Sequence, residues 1–296
     1  MIKTGGGRFD PDEGMCYFLA GHELHLHYAG MVHEHLLIAI NELDTAKEWE
    51  LLDQAIDGGK KVLIDSGVFS LAMDHARAHG LSHDAGLNVP PHEMDGFDAL
   101  LERYLYVIEK YGDRVWGYIE IDLGGRENKI KTRSMLEAKG LRPIPVFHPF
   151  GDGLDYFDYL AERYDRICFG NIVQASPPVR KRLLATMWER KRKYPNLWVH
   201  VLGLTPNALM LAYPANSADS STWLNSVRWQ GAREYSLTKS FSHLPRDFQY
   251  RLKRLTGEAA LYWEAIQMGA YLSHMMERNM QQYEQALAER GMTAYE

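Results

Sequence analysis

The stretch "VLIDSGVFSLAM", Val62–Met73, decides the fold. Three β-formers run straight into Asp65, Ser66 and Gly67, and a second apolar run follows. A carboxylate at the end of a buried strand is costly without a partner or a task. The same grammar recurs along the chain. Further short apolar runs are Met15–Gly21, His35–Leu43, Val115–Asp122, Arg142–His148, Asp165–Asn171, Leu197–Gly203 and Asn216–Ser221. The His35–Leu43 run also fits a helix. Amphipathic stretches separate most of them. "FDALLERYLYVIEKYG" ends on Gly112 and "KIKTRSMLEAKG" on Gly140, both good helix stops. Residues 153–164, 179–194 and 205–213 fit further helices.

Strand–helix alternation implies parallel strands with crossovers. Eight candidate strands in 296 residues fit an α/β fold of the (β/α)8 TIM-barrel type over residues 1–223. An open doubly wound sheet is the alternative, but no G-x-G-x-x-G follows the first strand. Residues 224–296 are read as a mainly helical, basic and aromatic extension packed on the barrel. Gly5–Gly7 precede any strand and read as a flexible end. His75–Met94, rich in His, Gly and Pro, reads as a long loop lying over the site.

Composition narrows the function. Hydrophobic residues make up 46% of the chain, charged residues 24%, and the formal net charge is −6. No apolar run approaches the roughly 20 residues of a membrane span, and the N-terminus has no signal-peptide core. A cytoplasmic protein is expected, in the host cytoplasm if phage-encoded. Two cysteines, Cys16 and Cys168, supply neither a disulfide framework nor a Cys-rich zinc site. Net negative charge argues against a general nucleic-acid coat, while Arg180–Pro195 and Arg246–Leu255 offer local basic faces.

In such a barrel chemistry sits at the C-terminal strand ends. The third strand ends on Asp65, the fourth on Asp122 after Glu120, the fifth on His148 and the sixth on Gly170–Asn171. The seventh carries His200 and ends on Gly203, and the eighth carries Asp219. Each alone has an ordinary reading as a helix cap or a core histidine. Three carboxylates and a histidine on one rim suit displacement at a sugar carbon, one carboxylate attacking and another moving protons. No Walker cradle and no G-x-S-x-G elbow is present. A metal alternative rests on His25 and His27, which would share a face if their segment were extended.

These residues resemble the tRNA-guanine transglycosylase family. "IDSGVFS" is similar to its "DSGGFQ", and "GYIEID" stands where the family has a base-binding aspartate. "PVFHP" stands for "IVQGG", and "FGNIVQ" resembles "GGLAVGE", with Asn171 in place of a glycine and without the glutamate. "VHVLGLTPNALMLAYPANSADSSTW" resembles the segment that carries the nucleophile. Its "DSSTW" form is most like phage and bacterial relatives that insert 7-deazaguanine bases into DNA. The resemblance spans Met15–Trp223.

It implies exchange of guanine for a 7-deazaguanine base, such as 7-cyano-7-deazaguanine, with Asp219 as nucleophile and Asp65 as proton-transfer group. Counted from Gly203, Asp219 falls on the first of the family's two aspartates in that segment. Ser66, Gly67, Asp122, His148, Gly170, Asn171 and Gly203 would bind the base. A guanine nucleotide flipped out of DNA would be the partner, contacted by Trp223, Arg228, Trp229, Arg233, Lys239, Arg246, Arg251, Lys253 and Arg254. The family's Cys-x-Cys-x-x-Cys zinc site is absent, so no metal or cofactor is expected. The same chemistry on tRNA, a non-catalytic nucleic-acid-binding barrel, and a homodimer or partner protein stay open.

Overall fold

A computed structural model describes residues 1–224 except Gly14, His22, Val32, Pro206 and Asn207. Beyond 224 it describes Arg246, Arg254, Ile266, His274, Glu277, Arg278, Gln281, Gln285 and Glu289, and of residues 23–26, 208 and 211 only the backbone. The strands are β1 (Cys16–Ala20), β2 (His35–Ala39), β3 (Lys61–Asp65), β4 (Gly117–Tyr118), β5 (Val146–Phe147), β6 (Arg166–Phe169), β7 (Trp198–Val201) and β8 (Ser217–Ser220). The helices are α1 (Glu23–Gly30), α2 (Ala46–Asp57), α3 (Val68–His79), α4 (His83–Leu87), α5 (Phe97–Tyr111), α6 (Gly125–Ala138), α7 (Leu154–Arg163), α8 (Pro177–Lys191) and α9 (Ala208–Ala212).

All strand pairs are parallel, in the order β4-β3-β2-β1-β8-β7-β6-β5. The two outermost strands meet through an Ile119–Ile144 bridge, where Ile144 N donates to Tyr118 O (2.8 Å) and Glu120 N to Ile144 O (3.0 Å). The sheet thereby curls into the expected TIM-type (β/α)8 fold. The ambiguous second run splits: His35–Ala39 is strand and Ile40–Glu42 a 3-10 turn.

Strand alternation divides the core in two. Cys16, Phe18, Leu37, Leu63, Trp116, Cys168 and Trp198 fill the lumen. Tyr17, Leu19, Leu36, Ile38, Val62, Ile64, Ile167, Phe169, Val199 and Val201 pack outward under the helices. Continuing that parity, Asp65 follows Leu63 inward, His200 follows Trp198, and Asp219 follows Ser217. Fold and site are thus one pattern.

Four sequence expectations fail. Gly5–Gly7 are no loose end: they cross the N-terminal mouth of the barrel. Gly5 N donates to Arg142 O (2.5 Å), Arg8 N to Val115 O (3.1 Å), and buried Arg166 grips the Thr4 and Gly5 carbonyls and Trp116 O. A Cβ on Gly5, Gly6 or Gly7 would run into Tyr118, Trp116 O or Asp113 O respectively. His75–Met94 is mostly helical: α3 runs to His79, Ser82 caps α4 by accepting from Ala85 N (3.2 Å), and Pro91–Glu93 form a 3-10 turn. Residues 25 and 27 lie in helix α1, where positions two apart do not share a face. Trp223 is buried, its indole N–H donating to Ala20 O (2.7 Å), so it is a core residue rather than a nucleic-acid contact.

Gly6 adopts φ +128°, a conformation open essentially to glycine alone. Gly6→Ala is expected to lower unfolding stability by at least ~1–3 kcal/mol, read as a reduced urea midpoint at unchanged m. Wild-type behaviour would restore the flexible-end reading.

Candidate active site

The C-terminal strand ends surround a cavity of about 480 Å³. It is lined by Glu42, Asp65, Gly67, Phe69, Asp122, His148, Asn171, Gly203 and Asp219, among others, and among the described residues no lysine or arginine is in its lining. Asp65, Asp122, Asp219 and His148, expected on one rim, therefore share one cavity. Ser66 and Gly170 are not part of the lining. Ser66 is fully buried, its hydroxyl accepting from Val68 N (3.4 Å), and Gly170 packs behind His148 and Leu202. Arg246 and Arg254 are exposed, while Arg228, Trp229, Arg233, Lys239, Arg251 and Lys253 lie outside the described residues.

Asp65 ends β3 and accepts from Gly67 N through Oδ1 (2.8 Å). Gly67, at φ +72°, lets α3 start at once, and any Cβ there would strike Asn41. Asp65 thus holds its own turn with one oxygen. Burial, with the charges of Asp122, Asp219 and Glu42 adding to it, raises its carboxyl to about 7, against the Gly67 bond. A carboxyl poised there can give and take a proton near neutrality.

Asp219 is arranged differently. Its Oδ1 accepts from Gly203 N (3.0 Å) and from His200 Nε2 (3.1 Å). Oδ2 has no hydrogen-bond partner among the described residues, and Asp219 lines the cavity. Asp122 Oδ2 meets His148 Nε2 at 2.8 Å. Burial raises the Asp122 carboxyl, but the His148 bond and charge, with Lys129 behind, hold it below the usual range. His148 is fixed in turn: its backbone N–H donates to Asp152 Oδ2 (2.7 Å), which pairs with the fully buried Lys129 (2.5 Å).

Asn171, at φ +54°, donates its amide to Asp84 Oδ1 of α4 (3.1 Å), so the misread His75–Met94 segment does reach the site. Three features were missed. Glu42 stands after β2, where the ambiguous run hid a further strand-end acid. Phe69, half exposed at the rim, sits inside the quoted motif two residues after Gly67. Ser220 and Thr222 line the wall beside Asp219.

At the opposite end of the barrel, Glu13, Cys16 and His35 bring three donor atoms within 4.8 Å of one another. Glu13 already contacts the Lys61 ammonium, His35 Nε2 (2.6 Å) and Trp116 Nε1 (3.0 Å). A cation there would have to displace an existing ion pair. No helix among the described residues is long and apolar enough to cross a membrane.

Models of known protein families do not match the chain, and curated proteins give no match either.

A carboxyl raised from 3.8 to about 7 costs folding stability once it must ionise. That cost is absent below about pH 4 and grows as pH rises towards 7. Asp65→Asn is expected to gain stability relative to wild type over that window, by up to about 4 kcal/mol at about 1.36 kcal/mol per unit. Urea melts from pH 4 to 8 measure it, and a pH-independent difference would show Asp65 to be an ordinary ionised carboxylate.

Proposed function

We propose that the protein exchanges a guanine of nucleic acid for a 7-deazaguanine base through a covalent glycosyl–aspartate. One observation carries the reading. Two carboxylates share a cavity, one poised to transfer protons and the other with a single oxygen tethered, and no cationic side chain among the described residues lines it. Oδ2 of Asp219 attacks C1′, and the C1′–N9 electrons leave with guanine, which takes a proton from Asp65. The incoming base gives its N9 proton to Asp65, its N9 attacks C1′, and the carboxylate departs. Flanking acids stabilise the oxocarbenium-like charge that develops on the sugar.

Phe69 at the rim offers an aromatic face for the base, and Asp122, oriented by His148, offers acceptors for the N–H edge of guanine. A base still stacked in a duplex cannot bring its C1′–N9 bond to carboxylates inside a cavity, so the nucleotide must be flipped out. DNA is the proposed acceptor on the resemblance of the "DSSTW" segment, with tRNA as the competing substrate.

The test is incorporation of labelled 7-cyano-7-deazaguanine or guanine into DNA, with tRNA in parallel. Wild type is expected to label DNA and to form a denaturation-resistant protein–DNA adduct. Asp219→Ala should lose both, by about 10³-fold or more, and Asp65→Asn should stall exchange. Labelling of tRNA alone would change the substrate. Binding of nucleic acid with neither adduct nor exchange would make the barrel a non-catalytic binding module.

A further inference from the structure

Asp219 lies at the end of a hydrogen-bond chain that the base-exchange reading does not use. His200, almost fully buried on β7, places Nε2 3.1 Å from Asp219 Oδ1 and Nδ1 2.8 Å from Ser217 Oγ. Ser217 Oγ in turn accepts from Trp198 Nε1 (2.8 Å). The Phe18 ring packs edge-on against the imidazole at 5.7 Å. His200 and Trp198 point inward by the strand parity of β7, and Ser217 and Asp219 by that of β8. The register pairs His200 with Ser217.

The directions of these bonds follow from the groups. A carboxylate only accepts, so the proton between His200 and Asp219 belongs to Nε2. Trp198 can only donate, so Ser217 receives its N–H and has its own proton left to give. Nδ1 is the acceptor in reach, and a buried hydroxyl proton without an acceptor would be costly. The chain therefore runs Trp198 N–H to Ser217 O–H to His200 Nδ1, then Nε2–H to Asp219 Oδ1. Gly203 N–H arrives at the same oxygen from the turn after β7.

We infer that His200, with its tautomer set by Ser217 and Trp198, is a positioning residue that holds Oδ1 of Asp219 and leaves Oδ2 to bond the sugar. The inference rests on the base-exchange reading and deepens it. Once Oδ2 is esterified to C1′, Oδ1 is the carbonyl oxygen of that ester, still facing two N–H donors. When the incoming N9 attacks C1′, the C1′–Oδ2 electrons return to the carboxylate and charge reappears on Oδ1. Donors already aimed at that oxygen stabilise the departing carboxylate. His200 thus acts mostly on the second half of the exchange.

The experiment compares wild type, His200→Phe, His200→Gln and Ser217→Ala for base exchange into DNA, with the trapped adduct quantified at steady state. His200→Phe is expected to lower turnover on the order of 10- to 100-fold, with KM for DNA little changed and a larger share of protein held as adduct. Glutamine can still donate from a terminal amide, so His200→Gln should recover most of the loss, and Ser217→Ala should fall between. Nitrogen NMR of the wild-type imidazole should show Nε2 protonated and Nδ1 not, a signature lost in Ser217→Ala.

A His200→Phe protein that turns over like wild type, or a protonated Nδ1 with bare Nε2, overturns the inference. So does a His200→Gln protein no better than His200→Phe while both melt like wild type. A wild-type protein that neither exchanges bases nor forms the adduct overturns the base-exchange reading itself, an outcome distinct from the others.

Discussion

The seam between β4 and β5 is the constraint on which the rest of the molecule depends. Every other strand pair has a regular ladder, whereas this one has the Ile119–Ile144 bridge. Side chains complete what the backbone leaves short. Glu120 reaches across and accepts from Val146 N through Oε1 (2.6 Å), while Oε2 takes the Arg133 guanidinium (2.7 Å). Arg133 also binds the Tyr156 hydroxyl (2.9 Å), tying α6 to α7 behind the seam. Lys129 donates to Val146 O (3.1 Å) and to Asp152. Removing one partner would strand a buried charge, commonly a loss of about 3–5 kcal/mol. The Asp122–His148 pair spans this same seam, so barrel closure and site geometry are set together.

The two strands at the seam are two residues each. A barrel closes by hydrogen bonds and by filling its lumen. Trp116, Phe9 and Trp198 fill the lower lumen edge to face, with Phe9 seated over the Arg166 guanidinium at 4.0 Å. The glycines at 5–7 let the chain lie flat against the start of β4, and that approach brings Phe9 into place. The N-terminal segment acts as a floor for the barrel.

Much of this was readable because the barrel obeys a period of two. Apolar runs marked the strands, and an acid at the inward parity after Leu63 or Ser217 had to face the lumen. The misreadings came where local chemistry and tertiary packing disagree. Gly5–Gly7 have the composition of a loose end, and only the Tyr118, Trp116 and Asp113 atoms beside them require glycine. The His75–Met94 segment carries loop-forming residues, yet Gly86 fits directly against the backbone of Ala72, so its glycine is a packing device within α4. Trp223 stands beside basic residues in sequence but turns into the core beneath Ala20. Glu42 was hidden because a strand running into a 3-10 turn has no clean period of either kind. His200 was visible as a strand histidine, and its bond to Asp219 depends on the β7–β8 register, which one sequence does not specify.

Charge also divides the proposed work between the cavity and its surroundings. Four carboxylates, Glu42, Asp65, Asp122 and Asp219, line the cavity, and among the described residues no lysine or arginine joins them. Such a chamber repels phosphate and favours a neutral base beside a sugar that becomes positive as its bond breaks. Phosphates of the same strand would have to stay outside it. Exposed cations follow the cavity wall in sequence. After Val173 and Gln174 the chain enters α8, whose early turns expose Lys181 and Arg182, while Arg180 turns back to hold Val173 O (2.6 Å) and Ala175 O (3.2 Å). Arg180 thus fixes the turn that carries the wall, and Lys181 and Arg182 are left facing solvent. An overall net charge of −6 is compatible with nucleic-acid binding when four of the 39 acidic residues sit inside a chamber that phosphate does not enter.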